Sequence, residues 1–217
     1  LYIGVRPDTI AVMVGRGRHG NRLDEIIQLA RKNGVPVRFE EPAQMDRAAG
    51  TRDHQGVVAL LASGATMTLP DLLAAQSTSG PGMLVLLDGV EDPQNLGAII
   101  RTALAAGTNG VILPDRRAAG LTEAAARASA GAVAHMPIAR VTNLSRAMED
   151  LKAAGYWLVG LDERADRGYS DVDLTGPIAF VLGGEGKGLH ELVRERCDFL
   201  VSLPTVGPVR SLNVSVA

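Results

Sequence analysis

The sequence predicts an α/β protein in which a small α/β unit precedes a larger domain with a mostly parallel sheet. Short apolar runs alternate with segments whose apolar residues follow helical spacing. In the second part of the chain these runs are apolar throughout, as is typical of parallel strands that are buried on both faces. Apolar residues make up 46% and charged residues 21% of the 217 residues, which is an ordinary globular composition.

The small unit is predicted at residues 1–64, where strand-like and helical segments alternate. Leu23, Ile26 and Ala30 follow helical spacing, and Gly34 ends that helix. The predicted strands are 2–5, 10–14, 35–39 and 56–61, and the predicted helices are 22–33 and 42–49. Because residue 1 already lies beside a strand-like segment and is not Met, we expect the chain to be a fragment that lacks the first elements of this unit.

Residues 65–82 are predicted to be a linker, because the segment from Ser63 to Gly82 is rich in serine, glycine and proline. A short helix is expected within it at 70–75. The boundary between the two domains is placed here.

The larger domain is predicted at residues 83–217. Asp92 can cap a helix that has Pro93 at its first position, and Gly107 stops that helix. The predicted strands are 83–87, 111–113, 133–139, 157–161, 178–182 and 199–203, and the predicted helices are 93–106, 122–130, 144–153 and 189–196. Sites in such sheets gather at the carboxyl ends of the strands.

The formal net charge of −2 does not by itself indicate a nucleic-acid partner. Residues 1–64 nevertheless carry a small excess of basic side chains. Arg16, Arg18, His19 and Arg22 fall in one glycine-rich stretch that can lie along RNA phosphates. An ordinary solvated loop explains the same stretch equally well.

Other function classes are disfavoured by what the sequence lacks. No apolar run reaches the length of a membrane span, and the N-terminus does not resemble a signal peptide. The one cysteine, Cys197, suits a reducing cytoplasm and is interpreted as a small buried hydrophobe. The four histidines are scattered without ligand spacing, so no metal is expected.

Three loops at predicted strand ends carry the candidate chemistry. The first leads into a helix that contains Asn95 and Arg101. An arginine at this position can bind a phosphate or a carboxylate. A surface ion pair is the simpler role for it. The second, residues 183–188 (GGEGKG), permits close approach of a ligand but fits neither a Walker A loop nor a GxGxxG loop.

The third loop, residues 203–217, enters an apolar and apparently helical segment with Ser211 and Asn213. Either residue can cap a helix N-terminus. In the second loop, Glu185 can orient a neighbouring group or form an ion pair with Lys187 or Arg210.

Residues 95–103 (NLGAIIRTA), 182–188 (LGGEGKG) and 211–217 (SLNVSVA) resemble motifs 1, 2 and 3 of the SpoU family, which belongs to the SPOUT class of RNA methyltransferases. The motifs occur in order and at suitable strand ends. The small unit, including residues 53–57 (DHQGV), is similar to the ribosomal-protein-L30-like substrate-binding domain of that family. The resemblance therefore covers nearly the whole chain.

The resemblance implies a deep trefoil knot that binds S-adenosylmethionine and a homodimer that methylates ribose 2′-hydroxyls. Enzymes with an L30-like domain suggest a guanosine in 23S rRNA as the target. Family members continue past the third motif with a helix, which we expect to be missing here. The matching cofactor contacts are Gly183, Leu203 and Leu212, and the matching functional residues are Asn95, Arg101, Glu185, Ser211 and Asn213.

Other functions remain open at this stage. The target can instead be tRNA or another rRNA nucleotide. A non-catalytic RNA-binding or ribosome assembly factor would have no chemical need for Arg101, Glu185, Ser211 and Asn213. A nucleotide-dependent enzyme such as a dehydrogenase is disfavoured by the missing phosphate-binding motifs.

Overall fold

The computed structural model describes residues 9–61, 66–76, 82–208 and 212–217. The chain divides into two compact units, Leu1–Ala65 and Thr66–Ala217. The strand expected at 2–5 lies outside the described residues.

The first unit contains a three-stranded sheet in the order β2-β1-β3. Strand β1 pairs in parallel with β2 and antiparallel with β3. Apolar side chains from β1, from α1 and from the turn before β2 form its core, notably Val12, Val14, Ala30 and Val35. The elements are β1 (Thr9–Gly15), α1 (Asn21–Lys32), β2 (Val37–Glu40), α2 (Pro42–Ala49) and β3 (Val57–Leu61).

The second unit contains a six-stranded sheet in the order β6-β5-β4-β8-β7-β9, and all five strand pairings are parallel. The expectation of an α/β fold with a mostly parallel sheet is therefore confirmed. The strands are β4 (Met83–Asp88), β5 (Gly110–Pro114), β6 (Ile138–Val141), β7 (Trp157–Leu161), β8 (Ile178–Gly183) and β9 (Phe199–Val201), and the helices are α3 (Leu69–Ala74), α4 (Pro93–Ala105), α5 (Glu123–Ala128), α6 (Leu144–Ala153) and α7 (Glu191–Arg196).

Successive residues of β4 serve two separate cores, because side chains alternate across a strand. Leu84 and Leu86 pack in a cluster that includes side chains of α3, α6 and α7. Val85 and Leu87 pack in a cluster that includes side chains of α4 and α5. Helices thus cover both faces of the sheet, which explains why its strands are apolar throughout.

Part of the predicted 65–82 linker is packed structure. Residues 66–76 belong to the second unit, and Leu69 and Leu72 of α3 are buried in its core. Met67 forms a parallel bridge with Ala139 of β6. The short helix expected at 70–75 is present as α3 (Leu69–Ala74), and its buried apolar side chains make it part of the second unit.

The strand predicted at 133–139 is wrong over most of its length. Gly131 has a φ of 89°, and residues Ala132–Ala134 form a 3₁₀ turn. Strand β6 begins only at Ile138, after Pro137, which has no N–H to donate to a neighbouring strand. Apolar character alone did not distinguish this buried turn from a strand.

The C-terminal segment also differs from expectation, since residues 214–216 form a turn and not a helix. The trefoil knot and the L30-like character of the first unit stay predictions. Cys197 is mostly buried, and burial raises the pKa of its thiol to about 12. The interpretation of Cys197 as an inert packing residue agrees with this shift.

Helices α4 and α5 approach closely at Gly97, and we expect Gly97→Ala to destabilise the protein. A Cβ added there would lie 2.3 Å from the backbone oxygen of Ala125. Alanine inside a helix ordinarily stabilises it by about 0.5–1 kcal/mol, but this clash requires the two helices to separate. Urea unfolding should show a net loss of about 1–3 kcal/mol.

The matched control is Gly176→Ala, where the nearest atom to an added Cβ is 4.0 Å away. Its unfolding free energy should stay close to that of the wild type. Equal stability of the Gly97→Ala variant and the wild type would contradict the close packing described here.

Candidate functional site

The glycine loop, residues 183–188, follows β8 at the carboxyl edge of the six-stranded sheet. The backbone N–H of Gly184 donates to the carbonyl oxygen of Asp88 at 2.7 Å. A Cβ on Gly184 would lie 1.9 Å from the carbonyl oxygen of Gly89, and one on Gly183 would lie 2.1 Å from the backbone of Gly188. Both positions therefore require glycine, because backbone occupies the space of a side chain.

Asp88 also holds the far end of the glycine loop through its buried carboxylate. Its Oδ2 accepts from the backbone N–H of His190 at 2.8 Å, and its Oδ1 lies 2.9 Å from Nδ1 of the His190 ring. From the sequence, Asp88 was only the residue that follows the strand predicted at 83–87. An acidic residue that terminates a fully apolar strand was the signal for this role.

The glycine loop forms one wall of a cavity of about 480 Å³, called here the glycine-loop cavity. This volume lies within the range of small-molecule sites. The cavity occupies the carboxyl ends of β7, β8 and β9 and is lined by residues 161–164, 182–189, 201, 203, 205, 212–214 and 217.

The structure brings five of the eight predicted catalytic and cofactor-binding residues to this cavity. Gly183, Leu203 and Leu212, which the sequence analysis assigned to a cofactor, all line it. Glu185 and Asn213 line it as well. Three segments that are distant in sequence thus converge on one space.

Asn95 reaches the glycine loop from the first turn of α4, since its side-chain amide donates to a carboxylate oxygen of Glu185. Of the two roles considered for Glu185, the hydrogen bond to a neighbouring group is the one observed. Within the described residues, Glu185 forms no ion pair with Lys187. Arg210 lies outside the described residues.

Asn213 organises the C-terminal turn. Its Oδ1 accepts from the backbone N–H of Ser215 at 2.8 Å and from the hydroxyl of Ser215 at 2.6 Å. Asn213 thus stabilises a turn and does not cap a helix, which was the role considered from the sequence, and it also lies on the cavity wall. Ser211 lies outside the described residues.

Arg101 does not line the glycine-loop cavity. It lies six residues after Asn95 on α4, which places it about 9 Å further along the helix and on a different face. Its side chain is exposed and has no hydrogen-bond or ion-pair partner among the described residues. The surface ion pair that was the simpler explanation is therefore absent from the part of the chain that is described.

Asp162 lines the glycine-loop cavity at the carboxyl end of β7. Its carboxylate accepts from Arg194 Nε at 2.8 Å and from Arg164 Nε and Nη2 at 3.0 Å each. The hydrogen bonds from Arg164 are the main cause that lowers the pKa of Asp162 far below its usual range. The sequence analysis gave no role to this group.

A second cavity lies on the other side of the glycine loop. We call it the edge cleft; it measures about 420 Å³ and is lined by residues 88, 89, 91, 117, 184, 185, 187, 188 and 190. It occupies the carboxyl ends of β4 and β8 and the loop after β5. Glu185 and Lys187 line both cavities.

The proposed RNA contacts of the first unit are all exposed. Arg16, Arg18 and His19 lie in the loop after β1, and Arg22 lies in the first turn of α1. Arg16 forms an ion pair with Glu41 at 3.6 Å. Their binding to RNA stays a prediction.

The described residues contain neither a metal-binding cluster nor a membrane-spanning helix. In those parts of the chain, no group of three or more His, Cys, Asp or Glu side chains could hold a metal ion. None of the described helices has the length and apolar character needed to cross a bilayer.

Two protein-family models match the chain. Residues 82–217 match the SpoU rRNA methylase family. Residues 4–65 match the substrate-binding domain of RNA 2′-O ribose methyltransferases.

Curated relatives and solved structures agree with these matches. The chain is 46% identical to YacO of Bacillus subtilis, which is assigned to the TrmH family of tRNA/rRNA methyltransferases, over 89% of this chain and 78% of that protein. It is 44% identical to an uncharacterized tRNA/rRNA methyltransferase of Mycolicibacterium vanbaalenii over 100% of this chain and 69% of that protein.

The SpoU methyltransferase AviRb of Streptomyces viridochromogenes, solved with AdoMet, superposes with a TM-score of 0.80 at 27% identity, covering 96% of this chain and 78% of AviRb. An AdoMet-bound rRNA methyltransferase of Sinorhizobium meliloti gives a TM-score of 0.80 at 25% identity, covering 96% and 76% of the two chains.

The cluster at Asp162 generates a test of stability against pH. We expect Asp162→Asn to lower the unfolding free energy by about 1–3 kcal/mol at pH 7, because it weakens charge-assisted hydrogen bonds to two arginines. A lowered folded-state pKa stabilises the protein above the unfolded pKa of about 3.9, and this contribution is lost as the pH falls further. The difference in unfolding free energy between the wild type and Asp162→Asn should therefore shrink below about pH 4.

Asp166→Asn is the control, since it removes the same charge from an exposed position of the same loop. Urea unfolding at pH 7 and in acid measures both variants. A difference for Asp162→Asn that is the same at both pH values would contradict the electrostatic origin.

Proposed function

The chain belongs to the SpoU rRNA methylase family, and we propose that it transfers a methyl group from S-adenosylmethionine to a ribose 2′-hydroxyl of structured RNA. The observation that carries this proposal is the convergence of the glycine loop, Leu203 and Leu212 on the glycine-loop cavity. The family description of the first unit, which names 2′-O ribose methylation, supports the position of the transferred group.

The glycine-loop cavity fits the donor in size and in character. Leu161, Leu203 and Leu212 give it apolar surface for an adenine ring, and the glycine loop contributes backbone groups and the carboxylate of Glu185. Bound S-adenosylmethionine would supply an electrophilic methyl group on a positively charged sulfonium. A carboxylate at the cavity wall attracts such a charge.

Asn95 and Glu185 would act as a positioning pair. The amide of Asn95 occupies one oxygen of the carboxylate and so fixes the direction of the other. A wall that is held in this way needs no rearrangement when substrates bind, and positioning supplies much of the rate of a reaction between two bound partners.

Arg101 is assigned to the RNA side of the reaction. A guanidinium is always protonated at neutral pH, so it is unsuited to remove the hydroxyl proton. We assign it to an RNA phosphate and to the developing alkoxide, with the proton leaving through phosphate or water. Its exposed side chain, which has no partner among the described residues, leaves it available for a ligand that comes from outside the glycine-loop cavity.

For the target we propose a guanosine of 23S rRNA, with Arg16, Arg18, His19 and Arg22 of the first unit holding RNA phosphates. The substrate-binding family model over residues 4–65 supports an RNA role for that unit. The named relatives combine tRNA and rRNA, so tRNA is the alternative. We further propose a homodimer, as the resemblance implies, and light scattering would test its mass. A cytoplasmic location, proposed because the chain has a single cysteine, would be tested by cell fractionation.

The proposed function is tested by incubating the protein with methyl-labelled S-adenosylmethionine and unmodified transcripts of bacterial 23S rRNA and of tRNA. A 2′-O-methyl group blocks alkaline cleavage of the next phosphodiester, because alkali cleaves RNA through the free 2′-hydroxyl. We expect the label in alkali-resistant dinucleotides that carry guanosine on the 5′ side, from 23S rRNA only.

Label in ordinary mononucleotides would place the methyl group on a base and contradict the proposal. Label from tRNA would retain the chemistry and replace the target. Calorimetry with S-adenosylmethionine, NAD and ATP would show which of these ligands binds.

The role of Arg101 is tested by Arg101→Lys, which keeps the charge and loses the planar pair of donors. We expect kcat to fall by at least about tenfold, while the affinity for S-adenosylmethionine, measured by calorimetry, stays unchanged. Arg146→Lys is the matched control, because Arg146 is equally exposed on α6. Wild-type turnover of Arg101→Lys would show that the bidentate geometry is irrelevant.

A further inference from the structure

The edge cleft adjoins the glycine-loop cavity, in which we place the methyl donor, and shares part of the glycine loop with it. Strand β8 lies between β4 and β7, so the loop that follows β8 separates the two spaces. Any group bound in the edge cleft lies just across Glu185 and Lys187 from the glycine-loop cavity. A substrate that must approach a donor would bind at this place.

Two cations face the edge cleft without partners. Arg117 and Lys187 are exposed and form no ion pair or side-chain hydrogen bond with another described residue. Arg117 also has a φ of 56°, which is uncommon outside glycine and costs energy. Unpaired cations that line a cleft suit phosphate oxygens.

A histidine ring stands in the same cleft in a fixed orientation. The buried carboxylate of Asp88 binds Nδ1 of His190 at 2.9 Å, while 42% of the His190 side chain is exposed. An imidazole face that is held by a second group is a preorganised surface for stacking a base. The ring therefore offers RNA something that a mobile surface histidine does not.

The carboxylates of the cleft show which kind of anion fits. Both oxygens of the Asp88 carboxylate are hydrogen-bonded to His190, and one oxygen of the Glu185 carboxylate accepts a hydrogen bond from Asn95. Glu91 has no partner among the described residues. The N–H donors of a nucleobase would satisfy this carboxylate, so a whole nucleotide matches the cations and the carboxylate of the cleft better than phosphate alone does.

We propose that the edge cleft binds one nucleotide of the RNA substrate beside the ribose that is methylated. Its phosphate contacts Arg117 and Lys187, its base stacks on His190, and its N–H groups face Glu91. This inference rests on the proposed function, since it takes RNA as the substrate and the glycine-loop cavity as the donor site.

Arg117→Gln tests the phosphate contact, and Arg116→Gln is its control because the adjacent Arg116 is exposed but does not line the cleft. Binding to an unmodified 23S rRNA transcript is measured by filter retention between about 50 mM and about 200 mM KCl. We expect Arg117→Gln to weaken binding about tenfold and to make the log–log salt dependence shallower by about one. Arg116→Gln should behave like the wild type, and both variants should bind S-adenosylmethionine normally.

The stacking contact is tested by comparing His190→Ala with His190→Tyr. Both variants lose the hydrogen bond to Asp88, so their difference reports the ring alone. We expect His190→Ala to raise KM for RNA about tenfold with an unchanged salt dependence, and His190→Tyr to restore most of this loss. Thermal unfolding identifies any variant that is simply unfolded.

The outcomes separate the two proposals. In the first outcome the wild type methylates RNA, Arg117→Gln matches Arg116→Gln in affinity and salt dependence, and His190→Ala matches His190→Tyr in KM for RNA. The edge cleft then does not bind the substrate, and the proposed function stands. If the wild type binds the transcript but methylates no RNA, the proposed function fails. In that case, the salt dependence of RNA binding by Arg117→Gln, compared with that of Arg116→Gln, still shows whether the edge cleft contacts a phosphate.

Discussion

The candidate site depends on Asp88, which binds both ends of the glycine loop. Its backbone carbonyl accepts from Gly184, and its carboxylate accepts from the backbone of His190. A loop with four glycines among six residues has large conformational freedom in the unfolded chain. Fixing both of its ends at one residue of a buried strand gives it a single shape in the folded protein. Without that restraint neither neighbouring cavity would have a defined wall.

The restraint extends outward from Asp88 through side chains on two other elements. Asn95 of α4 binds Glu185 in the middle of the loop, and the ring of His190 is held at its far end. Asp162, which also lines the glycine-loop cavity, is held by hydrogen bonds from Arg164 and Arg194. Each of these groups is fixed by a hydrogen bond to a different element, so the site inherits the rigidity of the sheet. Such support is what a reaction needs when its main requirement is the relative placement of two substrates.

The order and type of most elements could be predicted because strands buried on both faces are apolar throughout and helices show their spacing and caps. The failures have physical causes. Residues 132–134 are as apolar as a strand, yet Gly131 and Pro137 make them a turn. Leu69 and Leu72 lie among linker-like residues, but their burial comes from contacts with strands distant in sequence.

The residues of the site were predictable where they belong to a motif, as with Gly183 and Glu185. The role of Asp88 was not, because hydrogen bonds across more than a hundred residues leave no local pattern. Arg101 shows the converse. Its motif is plain in the sequence, but helical geometry places it on a different face of α4 from Asn95, which binds the glycine loop.

The strand order places the two proposed sites, one for the donor and one for RNA, at different parts of one sheet edge. The glycine-loop cavity uses the ends of β7, β8 and β9, while the edge cleft uses β4, β8 and the loop after β5. Only the loop after β8 serves both. Under the two proposals, changes after β4 or β5, at Glu91 or Arg117, would alter which RNA is accepted without disturbing the glycine-loop cavity. Changes in the glycine loop affect both spaces at once. The proposed division would let the selectivity for RNA change while the transferred group stays the same, because the two cavities share only the loop after β8.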